Sequence, residues 1–307
     1  MDPLSDVLSL LKPQSYASAG FDAGGDWSLR FPAYEGIKCN AVVSGACWLS
    51  IDAAADAVRL ETGDCFLLPK GWPFRLASDP SVPSTDANAV FPPARRGGVV
   101  TLNGGGDFFL VGSRFLLAGR HAELLLDVLP PVVLVRRDED RDTLRWALER
   151  MRRELHDPQP GADMVAQHLA QLMLVQVLRL HIAEAARDGI GWLSGLGDRR
   201  IGAAIGLMHA EPARRWTLAE LADRVGMSRT SFAVRFKRTV GLAPIDYLTR
   251  WRMLLAGDRL ANSEEAIPTI AASLGYEAES AFGAAFKRVM GCSPRRYGRD
   301  RLVAGRA

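Results

Sequence analysis

Between Ser228 and Arg238 the chain sets Arg229, Thr230, Ser231, Arg235, Lys237 and Arg238 around Phe232 and Phe236, which lie four residues apart. On a helix the two rings share one face, and the guanidinium, hydroxyl and ammonium groups spread over the others. Such a set donates hydrogen bonds and positive charge, and no carboxylate or imidazole stands among it to activate a nucleophile. Its chemistry is recognition of phosphate oxygens and base edges, not bond breaking. Elsewhere His121, His156, His168, His181 and His209 are scattered, and Cys39, Cys47, Cys65 and Cys292 lack the paired spacings of a zinc site. No catalytic residue, metal or cofactor is expected.

The surrounding text predicts the elements that present these groups. Thr217 stands three residues before Glu220, the spacing of a capping box, and Leu218, Leu221, Ala222 and Val225 follow as one apolar stripe. Gly226 ends that helix and Ser228 caps the next, which makes a helix-turn-helix. A second copy follows: Ile270, Ala271, Leu274 and Gly275 repeat Leu221, Ala222, Val225 and Gly226, and Phe282, Phe286, Lys287, Arg288, Gly291 and Pro294 repeat Phe232, Phe236, Lys237, Arg238, Gly241 and Pro244. Pro244 opens a linking helix between the copies, where its missing N–H costs nothing. Such a spacer can set two recognition helices roughly 34 Å apart along one DNA face.

The two units, with FKRVMGCSPRRY near the C-terminus, resemble the AraC/XylS family of bacterial transcription regulators over about Asp198 to Arg299. The resemblance implies base-reading positions at Thr230, Ala233 and Val234 in the first unit and at Glu279, Ser280 and Ala284 in the second. It also implies a DNA-contacting set completed by Ser228, Arg229, Ser231, Arg235, Lys237, Arg238, Lys287 and Arg288. Ala233, Val234 and Ala284 cannot bond a base edge bidentately, so readout is expected to lean on Arg229, Thr230, Arg235, Ser280, thymine methyl groups and DNA shape. The partners implied are promoter or operator DNA, a second copy of the chain, RNA polymerase where the outcome is activation, and a small-molecule effector.

The 307 residues suffice for two domains, and charge divides unevenly between them. Residues 198–307 hold 19 Lys+Arg against 11 Asp+Glu, a balance of +8, whereas residues 1–197 hold 19 against 24, or −5. The C-terminal part is thus the electrostatic partner for phosphate. No apolar run reaches the ~18 residues of a membrane span, and MDPLSDVLSLLKP lacks the basic start of a signal peptide. A cytoplasmic, nucleoid-associated bacterial protein with free thiols is expected.

From Trp27 to Ala77 short apolar runs broken by Gly, Pro and Asp predict antiparallel strands, with Ser44-Gly45 as a hairpin turn. Gly63 to Phe74 resembles the second cupin motif, but Phe74 stands at the metal-binding histidine position and Asn40 where the first motif usually has one. A metal-free cupin-like β-barrel that senses an effector against Trp27, Asn40, Trp48 and Phe74 follows from the resemblance. Residues 78–98 read as a long loop, Gly104-Gly105-Gly106 as a hairpin turn, and 121–128 as a short helix. Helical periodicity begins at Arg141, and the wide apolar face after Met164 is assigned to dimerisation by resemblance. GIGWLSGLG at 189–197 reads as a linker.

The expected class is therefore α+β: a sensor domain over 1–140, a helical dimerisation segment and linker over 141–197, and an all-α tandem helix-turn-helix domain over 198–307. Two other functions stay open at this point. One is a regulator that responds to oxidants through Cys39, Cys47 or Cys65. The other is a cupin enzyme, an isomerase or oxygenase, with a helical appendage.

Overall fold

The computed structural model describes residues 2–12, 14–52, 56–91, 98–117, 129–136, 141–185 and 191–304. Contacts divide the chain into two units, one of Pro13–Leu117 with Leu129–His181 and one that joins Met1–Lys12 to Ile182–Ala307.

The first unit is built on β1 (Gln14–Ala23), β2 (Ser28–Phe31), β3 (Ile37–Ser44), β4 (Ala46–Ile51), β5 (Val58–Glu61), β6 (Cys65–Leu68), β7 (Phe74–Ala77), β8 (Thr85–Asp86), β9 (Val99–Leu102), β10 (Phe108–Leu116) and β11 (Val133–Val135). Among the described residues these form a six-stranded sheet, β11-β6-β3-β10-β1-β9, and a five-stranded sheet, β5-β4-β7-β2-β8. The α+β class holds, and among the described residues the two sheets of the cupin-like β domain do not join into one closed barrel. Phe21, Trp27, Val42, Leu49, Phe66 and Leu76 fill the core between the sheets.

Three local readings change. Ser44-Gly45 does not close a hairpin, because β3 and β4 belong to different sheets. Gly45 turns that corner with φ +82, and a Cβ there would run into the Asp107 carbonyl. The Gly104–Gly106 run does not join paired strands either, since β9 and β10 flank β1 on opposite sides. The crossing is held by carboxylates: Asp22 accepts from Gly106 N–H at 2.8 Å and Asp107 from Gly25 N–H at 2.8 Å. Part of the expected 78–98 loop is ordered as β8 and a one-turn helix α2 (Ala87–Val90) with Ala87 buried. Residues 92–97 and the helix expected over 121–128 lie outside the described residues. The helices α3 (Arg141–His156) and α4 (Ala162–Ala185) follow where the periodicity placed them.

The second unit contains α1 (Pro3–Leu11), α5 (Trp192–Gly197), α6 (Arg199–Ala210), α7 (Leu218–Arg224), α8 (Arg229–Val240), α9 (Pro244–Asn262), α10 (Ile267–Ser273), α11 (Glu279–Met290) and α12 (Pro294–Ala304). The N-terminal helix α1 lies on α5 and α6, burying Leu4, Val7, Leu10 and Leu11. Lys12 Nζ completes the attachment, 2.8 Å from Asp258 Oδ1. Residues 192–197 are no open linker. Trp192 and Leu193 are buried, and the bare Gly195 lets α5 close on Ile205 and Val240.

His209 sits at the centre of this unit, its ring parallel to Trp251 at 3.8 Å and its Nε2 2.8 Å from the Tyr247 hydroxyl. Burial pushes it down from 6.5 to about 3, although Asp6 Oδ2 lies 3.5 Å from Nδ1. The folded form therefore carries the neutral ring, while the unfolded chain takes up a proton below about pH 6.5. Stability must fall as pH drops through the window from 6.5 toward 3, by up to about 1.4 kcal/mol per pH unit from this group. Calorimetry of the full chain between about pH 7 and pH 5.5 should show the Tm falling, and His209→Gln should flatten that slope. An unchanged slope in the variant would refute the assignment.

Candidate nucleic-acid interface and effector cavity

The two helix-turn-helix units repeat each other down to single hydrogen bonds. Met227 N–H donates to the Ala222 carbonyl at 2.9 Å, and Tyr276 N–H to Ala271 at 3.0 Å. Gly226 and Gly275 close the turns with φ +64 and +81, and Gly241 and Gly291 end α8 and α11 with φ +83 and +76. The buried pairs Leu221/Ala222 with Phe232/Phe236 recur as Ile270/Ala271 with Phe282/Phe286.

Capping follows the sequence on the first unit only. Thr217 accepts from Glu220 N–H at 3.1 Å and Ser228 from Ser231 N–H at 3.2 Å. The Glu220 carboxylate does not return the favour; it pairs with Arg214. Ala278 leaves α11 without a side-chain cap.

With the phenylalanines inside, the polar faces of both helices are outside. Ser228, Arg229, Thr230, Ser231, Val234, Lys237 and Arg238 are exposed on the first unit, and Glu279, Ser280, Ala284, Lys287 and Arg288 on the second. Ala233 is half-buried, while Val234 is 63% exposed, unusual for a branched apolar side chain. Two candidates are engaged elsewhere. Arg235 donates from Nε to Asp198 Oδ2 at 2.7 Å, with Nη2 also at 2.7 Å, and the same carboxylate caps α6 through Arg200 and Ile201 N–H. Glu279 has Arg295 Nη2 at 3.9 Å. Arg235 thus positions α8 against α6.

The two-sheet unit, Pro13–Leu117 with Leu129–His181, carries a cavity of about 670 Å³. Of the four proposed effector residues Asn40 and Phe74 line it; Trp27 belongs to the neighbouring core and Trp48 does not reach it. Side-chain alternation explains the lining. Ala17, Ala19 and Phe21 on β1, Lys38 and Asn40 on β3, and Leu110, Gly112 and Arg114 on β10 occupy alternate positions and so share one face. Ala19 and Gly112 are small, and a Cβ on Gly112 would stand 2.7 Å from Asn40 Oδ1. Lys38 and Arg114 were missed in the sequence, yet Lys38 lies two residues from Asn40, so the parity that turned one inward turned both.

Asn40 and Phe74 offer no imidazole or carboxylate, and no group of three or more His, Cys, Asp or Glu gathers among the described residues. A cupin metal does not fit this donor set. Cys39, Cys47 and Cys65 are buried; burial pushes the Cys39 thiol up strongly and Cys47 up to about 12, the state of an inert thiol.

A cupin family model matches residues 2–183, and a helix-turn-helix domain model matches residues 221–300. A Streptomyces lividans protein named an AraC-like transcription regulator is 45% identical over 97% of this chain and 98% of its own length. A Streptomyces antibioticus protein of the same name is 44% identical over the same shares. Among solved structures, the DNA-binding domain of AdpA in complex with a target DNA is 26% identical, with a TM-score of 0.32, over 33% of this chain and 92% of that one.

The paired turns differ in one respect that substitution can measure. Ala at Gly226 meets open space and bears only the left-handed backbone strain, about 1 kcal/mol. Ala at Gly275 adds a collision with the Ala213 carbonyl. Thermal denaturation should therefore rank Gly275→Ala well below Gly226→Ala in Tm; equal losses would disprove this difference.

Proposed function

The chain belongs to the AraC/XylS family of transcription regulators, joining a cupin-like domain to a tandem helix-turn-helix domain that binds DNA, and we propose that α8 and α11 read two segments of one operator. The observation that carries this reading is the duplicated turn, which leaves equivalent polar faces of the two helices exposed. Arg229, Thr230 and Ser280 supply hydrogen bonds to base edges and Val234 a methyl contact to thymine. Lys237, Arg238, Lys287 and Arg288 neutralise phosphates.

The cavity of the cupin-like domain is the effector site in this reading. An effector shifts the population toward the DNA-competent state by its difference in affinity for the two states. Homodimerisation through the α3–α4 region is supported by Trp146, Met164 and Val165, which are 60%, 65% and 37% exposed there. Where the bound protein activates, RNA polymerase is the further partner.

Gel shifts on the protein's own promoter separate readers from positioners. Arg229→Ala should weaken specific binding by about 1–3 kcal/mol and relax base preference at one position without changing Tm. Arg235→Ala should lower Tm and weaken binding to all sequences alike. Unaltered affinity in Arg229→Ala would remove α8 from the operator.

A further inference from the structure

Resting on the reading of the cupin-like cavity as the effector site, the character of the effector can be taken further. Strand register places two residue rows across the cavity wall. Ala17 on β1, Arg114 on β10 and Lys38 on β3 stand side by side, and Ala19, Gly112 and Asn40 form the next row. Lys38 and Arg114 are therefore like charges directly opposite one another on an inward face, an arrangement that destabilises a sheet unless something answers it.

Among the described residues nothing answers it at Lys38. Its Nζ lies 4.8 Å from the centroid of Phe31, 4.6 Å from Tyr34 and 4.7 Å from Phe74, three rings that hold the ammonium by their faces. Among the described residues it makes no ion pair or hydrogen bond. Glu35, the acid nearest in sequence, is exposed at the rim and meets Arg114 through its backbone carbonyl, 2.9 Å from Nε. The Tyr34 hydroxyl is spent on the Leu68 carbonyl at 2.8 Å, and Ser113 on Ser18 at 2.8 Å. Asn40, 6% exposed, has an amide nitrogen with no partner. Apart from the rim acid, the wall offers cations and an unused N–H donor among alanines, leucines and aromatic rings. The one further amide in the lining, Asn88, is exposed, and among the described residues no carboxylate pairs with Lys38.

We infer that the cavity takes an apolar molecule bearing a single anionic group, a carboxylate or its equivalent, which sits between Lys38 and Arg114 with Asn40 donating to it. The apolar body lies along Ala17, Ala19, Phe31, Phe74, Leu76 and Phe91. Cations are refused because the aromatic cage already holds one. Neutral molecules of the same shape gain the apolar contacts and leave Lys38 without an anion. Burial and the neighbouring Arg114 lower Lys38 from 10.5 to about 8, so near neutral pH it still carries the proton an anion needs.

Matched pairs test this on the full chain: 2-naphthoate against 2-naphthamide, and octanoate against octanamide, by isothermal titration. Each acid should bind at least about tenfold tighter than its amide near pH 7. Lys38→Met should bring the ratio close to one, and without ligand the variant should melt no lower than the natural protein, since a buried unpaired cation is gone. A pH series on the unaltered protein needs no variant. Acid affinity should decline above about pH 8 as Lys38, faced by Arg114 and with Glu35 at the rim, loses its proton, while amide affinity stays level. Equal binding of acid and amide overturns the charge inference and leaves the cavity as an effector site. Binding of neither overturns both, and a preference that survives in Lys38→Met overturns the role of Lys38.

Discussion

The shared helix α9 is what both reading units depend on. Its buried residues serve two cores in succession: Tyr247, Leu248 and Trp251 close the first, with Phe236 at 5.8 Å from Tyr247 and His209 stacked on Trp251. Met253 and Ala256 close the second with Ile270, Phe282 and Phe286. Gly257 lets Met290 and Tyr297 approach its backbone. Arg252 joins the two halves, donating to the carbonyls of Pro212 at 2.5 Å and Arg214 at 2.8 Å while its guanidinium lies 5.7 Å from the Tyr276 ring. A helix buried on successive faces cannot roll without opening a core, so the spacing of the reading helices is fixed by packing and not by a tether.

The cupin-like unit depends on a different economy of space. Gly112 and the two alanines of β1 withhold side chains where a packed sandwich would put leucines, and the gap becomes a cavity. The positions at which the cupin motifs resemble metal-binding ones, Asn40 and Phe74, line that gap. Phe74 stacks flat on Phe31 at 4.5 Å, and Asn40 points an unpartnered amide inward. The same scaffold position that suits a metal ligand suits a ligand wall, because the register of β3 against β10 aims it at the interior in either case.

The repeat was legible because its signals are local: a cap, a glycine past the last apolar residue, and two phenylalanines one turn apart. Each of these acts within one helix or turn, and each appears where the spacing put it except the Glu220 half of the capping box, which turns to Arg214. Failures came where partners are distant in sequence. Ser44-Gly45 has the composition of a hairpin, but only the approach of Asp107 reveals a corner between sheets. Gly104–Gly106 has the composition of a turn, but β1 intervenes between the strands it joins. Trp192 and Leu193 were outvoted by the glycines around them, although a glycine beside a tryptophan also marks close packing. Lys38 was lost among apolar neighbours, and the bond of Arg235 to Asp198, 37 residues away, leaves no local trace.

The faces turned outward by α8 and α11 also limit how they can discriminate. Long side chains at the C-terminal ends, Lys237, Arg238, Lys287 and Arg288, occupy equivalent places in the repeat, where the helix dipole favours cations. Between these and the N-terminal Arg229 and Glu279 stand short side chains: Thr230, Ala233 and Val234 on α8, and Ser280, Gly283 and Ala284 on α11. A Cβ at Gly283 would meet nothing within 4 Å. A helix trimmed in this way can lie deep in a major groove, with its cations anchoring phosphates at one end. In the reading proposed above few bidentate base contacts are then available beyond Arg229, so methyl contacts and the curvature that two fixed helices ask of the DNA would supply the rest of the discrimination. In that reading the rigidity of α9 and the shortness of the exposed side chains act together: the stiffer the spacing, the more of the specificity shape can carry.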